Sequence, residues 1–176
     1  YFHYLFWPAM LKGMDIKVPL LNTHGFITVD GKKMSKSRGT FFTAKDFYSL
    51  YGGEKLRFYY ASNLNRRLVD IDLNLDDFKA VSNNVLMGNL GNFCFRTLSF
   101  AAKNYSVEDG NGFESVFIGD SERELMVAFS ERVHGVHGIV DSFYNLDFKK
   151  AVKLVLELSD LGNKYFQKLE PWKKRE

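Results

Sequence analysis

The sequence has 176 residues, is 45% hydrophobic and carries a formal net charge of +3, which is enough chain for one domain with a real core or for one compact domain joined to part of another. So small a charge does not by itself announce nucleic acid, although the cations are uneven, gathering in residues 32–38, at Arg66-Arg67 and at Lys173-Lys174-Arg175. Cys94 is the single cysteine, which excludes a disulfide framework and a cysteine-built zinc site within the chain and makes a reducing, intracellular location the default; no apolar run reaches about 18 residues and no secretory pattern is present, which argues for a soluble protein.

The chain opens on a dense aromatic run, residues 1–11, with no initiator methionine, and finishes just after Pro171-Trp172, so both ends read as cut and an internal piece of a longer protein is expected. Phe2, Leu5, Phe6, Ala9 and Met10 recur at helical spacing, predicting a buried helix that Gly13 ends. Residues 18–24 read as a short apolar strand. Residues 26–29 read as a second, β-branched strand that turns at Asp30-Gly31, a hairpin dipeptide. From that turn leaves the most distinctive stretch of the chain, residues 31–40, with Lys32, Lys33, Lys36 and Arg38 set between Gly31 and Gly39. Such cations cannot be buried unpaired, so they face water or an anion. Taken alone the stretch is either a phosphate-binding loop or a solvated basic turn.

Thr43-Ala44-Lys45-Asp46 resembles a capping box with Asp in place of Glu, predicting a helix to Leu50 before a Gly52-Gly53 break. Residues 54–63 predict a second short helix, with Leu56, Tyr59 and Tyr60 on its apolar side. Beyond Arg66-Arg67, Asp70, Asp72, Asp76 and Asp77 form an acidic connector around Leu73-Asn74-Leu75, after which only helices are expected. Asn74 caps a long one to about Ala102, a polar loop spans residues 103–120, and Ser121-Glu122-Arg123-Glu124 opens another running through Val133, Val136 and Val140 to Phe143. The last carries Phe148, Val152, Val155, Leu158, Leu161, Tyr165, Phe166 and Leu169 on one side before Pro171. Three amphipathic helices with short to medium links imply an antiparallel bundle. No metal site is expected: His134 and His137, read as mid-helix residues, lack a third ligand, and the aspartates lack calcium-loop spacing and suit a helix start.

Lys33-Met34-Ser35-Lys36-Ser37 is the signature pentapeptide of class I aminoacyl-tRNA synthetases. Its surroundings, His24 to Gly31, Arg38-Gly39-Thr40-Phe41, Leu56-Arg57-Phe58-Tyr59-Tyr60 and Asp70-Ile71-Asp72-Leu73-Asn74-Leu75, resemble the methionyl-tRNA synthetase family, and the opening aromatic run is similar to that family's amino-acid pocket segment. The resemblance is strong to about Phe78 and rests on pattern and a few residues beyond. It implies an α/β remnant of a Rossmann-type catalytic domain in residues 1–30, the signature loop and stem-contact region in 31–74, and an all-α helical bundle, the anticodon-binding domain of class I synthetases, in 75–176, truncated.

The activity implied is ATP-dependent activation of methionine to methionyl-adenylate and transfer to methionine tRNA, in the cytoplasm. Magnesium would accompany ATP, and zinc belongs to a family insertion not found in this chain. In that reading Lys33 and Lys36 are catalytic, and Met34, Ser35 and Ser37 complete the ATP-binding set. Phe2, His3 and Trp7 line the methionine pocket, where aromatic faces suit a thioether. Asn92, Arg96 and Trp172 read the anticodon. Without the resemblance, Phe2, His3 and Trp7 read as an aromatic core stripe and Asn92 and Arg96 as an ordinary polar helix face, and Trp172 reads alternatively as a helix-start staple. The His-x-Gly-His element and first half of the sheet found in that family are not present, so the isolated chain is expected to be inactive. Alternatives are a class I synthetase for another amino acid, a non-catalytic tRNA-binding paralogue, or a plain helical interaction domain; oligomeric state stays open.

Overall fold

A computed structural model of the chain describes residues 1–35, 37, 41–104 and 119–173. It is mostly helical around a small mixed sheet. The Asp30-Gly31 pair turns as predicted. Both residues take positive φ, 48° and 70°, the geometry of a type I′ turn whose twist matches that of the flanking strands. The turn joins β1 (Ile27–Val29) to β2 (Lys32–Lys33), with Thr28 opposite Lys33 and Val29 opposite Lys32. The third strand, β3 (Ile71–Leu73), runs parallel to β1 in the order β2-β1-β3. It lies inside the stretch read as an acidic connector: Ile71 and Leu73 are buried while Asp72 between them is exposed, a two-residue alternation that the surrounding aspartates conceal.

Two further expectations at the start of the chain are corrected. Residues 18–24 form no strand, and Leu20 there is 99% exposed. The opening helix forms, as a π-helical turn Phe2–Phe6 running into α1 (Trp7–Gly13), but none of its residues is buried. Its aromatic side packs mainly on itself, with the Phe2 and Phe6 rings edge-to-face at 6.2 Å.

Thr43 caps α2 (Ala44–Tyr51) by accepting from the Asp46 backbone N–H, and Gly52, at φ 81°, separates it from α3 (Gly53–Asn63). These helices close over the sheet. Val29, Phe47, Tyr59, Leu73 and Phe78 form the buried core, with Met34, Leu56 and Tyr60 packed against it. Phe78 is its centre, its ring lying 5.1 Å from Phe47 and 5.6 Å from Tyr59 in edge-to-face contacts, which favour the ring quadrupoles as well as burying area.

Asn74 caps α4 (Leu75–Ala80), which continues through a π-helical stretch, Val81–Gly91, into α5 (Asn92–Asn104). The helix read as one piece from Ser121 to Phe143 is two, α6 (Asp120–His134) and α7 (Ile139–Tyr144). Gly135 and Gly138 interrupt it, with His137 between them at φ 66°, so the two histidines stand at an inter-helix turn. The capping box at Ser121 does not form either; Gly119 precedes α6 and supplies no side-chain bond. The last helix, α8 (Phe148–Leu169), starts on Asp147, whose carboxylate accepts from the Lys150 N–H. It packs against α3, α5, α6 and α7, burying Ala151, Ser159 and Gly162. These small residues let its neighbours approach closely, and Phe93 of α5 sits against Gly162 where no Cβ would fit. No described helix is long and apolar enough to cross a membrane.

Candidate functional site

The basic loop is launched by the hairpin. Lys33 ends β2, exposed, with its ammonium 5.7 Å from the centre of the Phe26 ring, close enough for a cation–π attraction. Met34, next in sequence, turns toward the core and packs on it, so the arm is tied down one residue after the cation it presents. Ser35 and Ser37 face each other, hydroxyl to hydroxyl at 3.0 Å. Lys36, together with Arg38, Gly39 and Thr40, lies outside the described residues.

The turn of the hairpin is held by β3 and by Asn74 just after it. The Asp72 carboxylate accepts from the Gly31 N–H at 2.8 Å and from the Thr28 hydroxyl at 2.7 Å, and the Asn74 amide donates to Asp30 at 2.9 Å. Beneath them the Tyr59 hydroxyl lies 3.0 Å from the Asp72 carbonyl and 2.9 Å from the Asp77 carboxylate. Burial, then the hydrogen bond to Asp77, pushes its pKa up to about 12. In the sequence Asp72 and Asp77 read as helix-start and linker acids. The grip of Asp72 on a turn about 40 residues earlier follows from the parallel β1–β3 pairing, which has no short-range signature.

Phe2, His3 and Trp7 do come together, with Phe6 and Met10, around an open hollow of about 420 Å³. Phe2 and His3 also border a second hollow with His24, Phe26 and Asp70, so the first turn of the opening helix divides two recesses, one of which reaches the hairpin strand.

The remaining predicted residues lie on α5 and just after the C-terminal end of α8. Arg96 on α5 donates to Gln167 at 3.0 Å and to Asn163 at 3.4 Å on α8, and its guanidinium carbon lies 5.3 Å from the centre of the Phe166 ring. Trp172 packs on that same ring at 5.7 Å. Arg96 and Trp172 are thus brought together across Phe166, a residue the sequence placed only on the apolar side of the last helix. Asn92, four residues before Arg96 on α5, is exposed. Among the described residues no group of three or more His, Cys, Asp or Glu side chains is placed to hold a metal ion.

Comparison with known proteins bears on the whole arrangement. The family model described as tRNA synthetases class I (M) matches residues 1–98, more than half of the chain. Among solved structures, the chain is similar to that of Mycobacterium tuberculosis methionyl-tRNA synthetase bound by methionyl-adenylate, with a TM-score of 0.80 and 25% identity over 99% of this chain and 34% of that one. A second structure of the M. tuberculosis enzyme in complex with methionyl-adenylate matches with a TM-score of 0.77 and 27% identity over the same shares. The chain therefore spans about a third of the length of the structures it matches.

Proposed function

Because the chain belongs to the family of class I tRNA synthetases described as M, we propose that it serves methionyl-tRNA synthesis: ATP-dependent conversion of methionine to methionyl-adenylate, then transfer to methionine tRNA. The observation that carries this reading is the pentapeptide Lys33-Met34-Ser35-Lys36-Ser37 leaving a type I′ hairpin, in a chain whose similar solved structures hold methionyl-adenylate.

The chemistry explains the composition of the loop. The methionine carboxylate attacks the α-phosphorus of ATP, the bond to the bridging oxygen breaks, and negative charge builds on the departing pyrophosphate. An ammonium delivered to that charge stabilises the transition state more than the ground state. Lys36 takes that role and Lys33 supports it; Ser35 and Ser37 donate to phosphate oxygens, and Met34 tethers the arm. Magnesium arrives with the triphosphate. Phe2, His3 and Trp7 belong to the methionine pocket, the aromatic faces taking the thioether and His3 orienting the polar end. The nucleotide site is completed by residues outside this chain, which on this reading is a carboxyl-side portion of the enzyme: residues 1–30 end the catalytic domain, 31–74 hold the loop and stem-contact region, and 75–176 form part of a helical anticodon-binding domain, with Asn92, Arg96 and Trp172 reading bases.

In the full-length enzyme, Lys36→Ala is expected to lower methionine-dependent ATP–pyrophosphate exchange by about a hundredfold or more, as loss of one preorganised transition-state donor does, with the melting temperature unchanged. Exchange at the unmodified rate would overturn the proposal.

A further inference from the structure

Asn74 bonds in two directions at once. Its side-chain oxygen accepts from the backbone N–H groups of Asp76 and Asp77 at 3.0 and 2.9 Å, capping α4, while its nitrogen donates to the Asp30 carboxylate at 2.9 Å. Backbone N–H groups only donate and an ionised carboxylate only accepts, so the amide has a single workable orientation. Asp30 is one of the two residues of the type I′ turn, and the other, Gly31, donates to Asp72, two residues before Asn74. The turn is therefore gripped at both of its residues from the end of β3, and the pentapeptide begins two residues after it. A tether at the base of so short an arm sets where the following cations are carried.

We infer that Asn74 is a positioning residue for amino-acid activation: one amide fixes the start of α4 and, through Asp30, the hairpin that launches the basic loop. This rests on reading that loop as the ATP-binding element. The simpler role, a helix cap and nothing more, is separable by chemistry. Asn74→Asp keeps the oxygen that caps α4 but sets carboxylate against carboxylate at Asp30. Asp30→Gly removes the acceptor without touching the cap, and glycine accepts the positive φ of that position. The double change Asp30→Asn with Asn74→Asp rebuilds the bond with its direction reversed, leaving both the cap and a residue that tolerates positive φ.

The test is ATP–pyrophosphate exchange in the full-length enzyme, with methionine KM and melting temperature measured alongside. Asn74→Asp and Asp30→Gly are expected to lower kcat by about tenfold, the effect of one charge-assisted hydrogen bond at a partly exposed site, with methionine KM unchanged. The double variant is expected to recover to within about twofold of the unmodified enzyme on the same basis. Unmodified exchange rates in both single variants, or a double variant no better than Asn74→Asp, would overturn the positioning role. Should Asn74→Asp fail to fold, Asp30→Gly decides alone, an unmodified rate counting against the role. Lys36→Ala separates the two levels: a normal rate there removes the reading of the loop, whereas loss there with normal rates in the Asn74 and Asp30 variants removes only the inference about Asn74.

Discussion

Tyr59 is 2% exposed, and its hydroxyl lies within reach of two acceptors, Asp72 and Asp77. Its pKa stands at about 12 in the folded chain against an ordinary 10.0. The folded state therefore holds this proton more tightly than the unfolded one, so the contribution is complete below pH 10 and is lost as pH rises from about 10 to about 12. Tyr59→Phe is expected to cost about 1 kcal/mol at neutral pH through the lost hydrogen bonds. It should also flatten the alkaline fall in stability, as read by urea melts at pH 8 and pH 11; an unchanged alkaline slope would contradict this. Part of the slope will remain, because Tyr165, half-buried beside Glu122 and hydrogen-bonded to it, is also pushed up to about 12 by desolvation and by that bond. At this scale two of the three predicted caps were legible. Thr43 and Asn74 precede acids at N-cap spacing and both bond as predicted, whereas Ser121, with the same spacing to Glu124, does not cap α6. Asp72 and Phe166 were not, because their partners lie in segments brought close only by strand pairing or helix packing.

The elements with short-range determinants were the most readable. Asp-Gly encodes its turn through backbone conformation alone, and α8 follows from the spacing of its apolar residues. Residues 18–24 misled because an apolar run has no strand identity without a partner strand, and none pairs with it in the described sheet. The α6–α7 break was concealed by continuous helical periodicity across Val133, Val136 and Val140, which outweighed the glycines at 135 and 138. The small residues on α8 make a quantitative expectation possible. A methyl at Gly162 collides with the Phe93 ring, so Gly162→Ala should destabilise the packing of α5 on α8 by about 1–3 kcal/mol, the usual range for overpacking. Substituting the exposed Ser99 of α5 by Ala should change little. Thermal melts of the two variants check the contrast, and equal melting temperatures would refute the close approach.

Over the whole molecule, the hairpin with its core and the Arg96–Phe166–Trp172 stack sit on different parts of one continuous scaffold, joined by the long helical run from Leu75 to Asn104 and by α8. Family membership and the mixture of a small sheet with many helices were both readable in advance, the first from the pentapeptide and its neighbours, the second from periodicity. The exposed state of the opening helix was not, since sequence gives a helix its apolar side but not what covers it. The separation of the two sites predicts separable losses. On the proposed reading Trp172 would give a base a stacking face worth about 1–3 kcal/mol, so its removal should weaken the capture of tRNA without touching adenylate formation.

The most direct test is therefore a paired measurement on the full-length enzyme, ATP–pyrophosphate exchange and methionine tRNA charging, in Lys36→Ala and Trp172→Ala side by side. Lys36→Ala is expected to lose exchange and with it charging, whereas Trp172→Ala is expected to keep exchange and lose about tenfold or more in charging efficiency. Equal damage to both steps by Trp172→Ala, or undiminished exchange in Lys36→Ala, would contradict this.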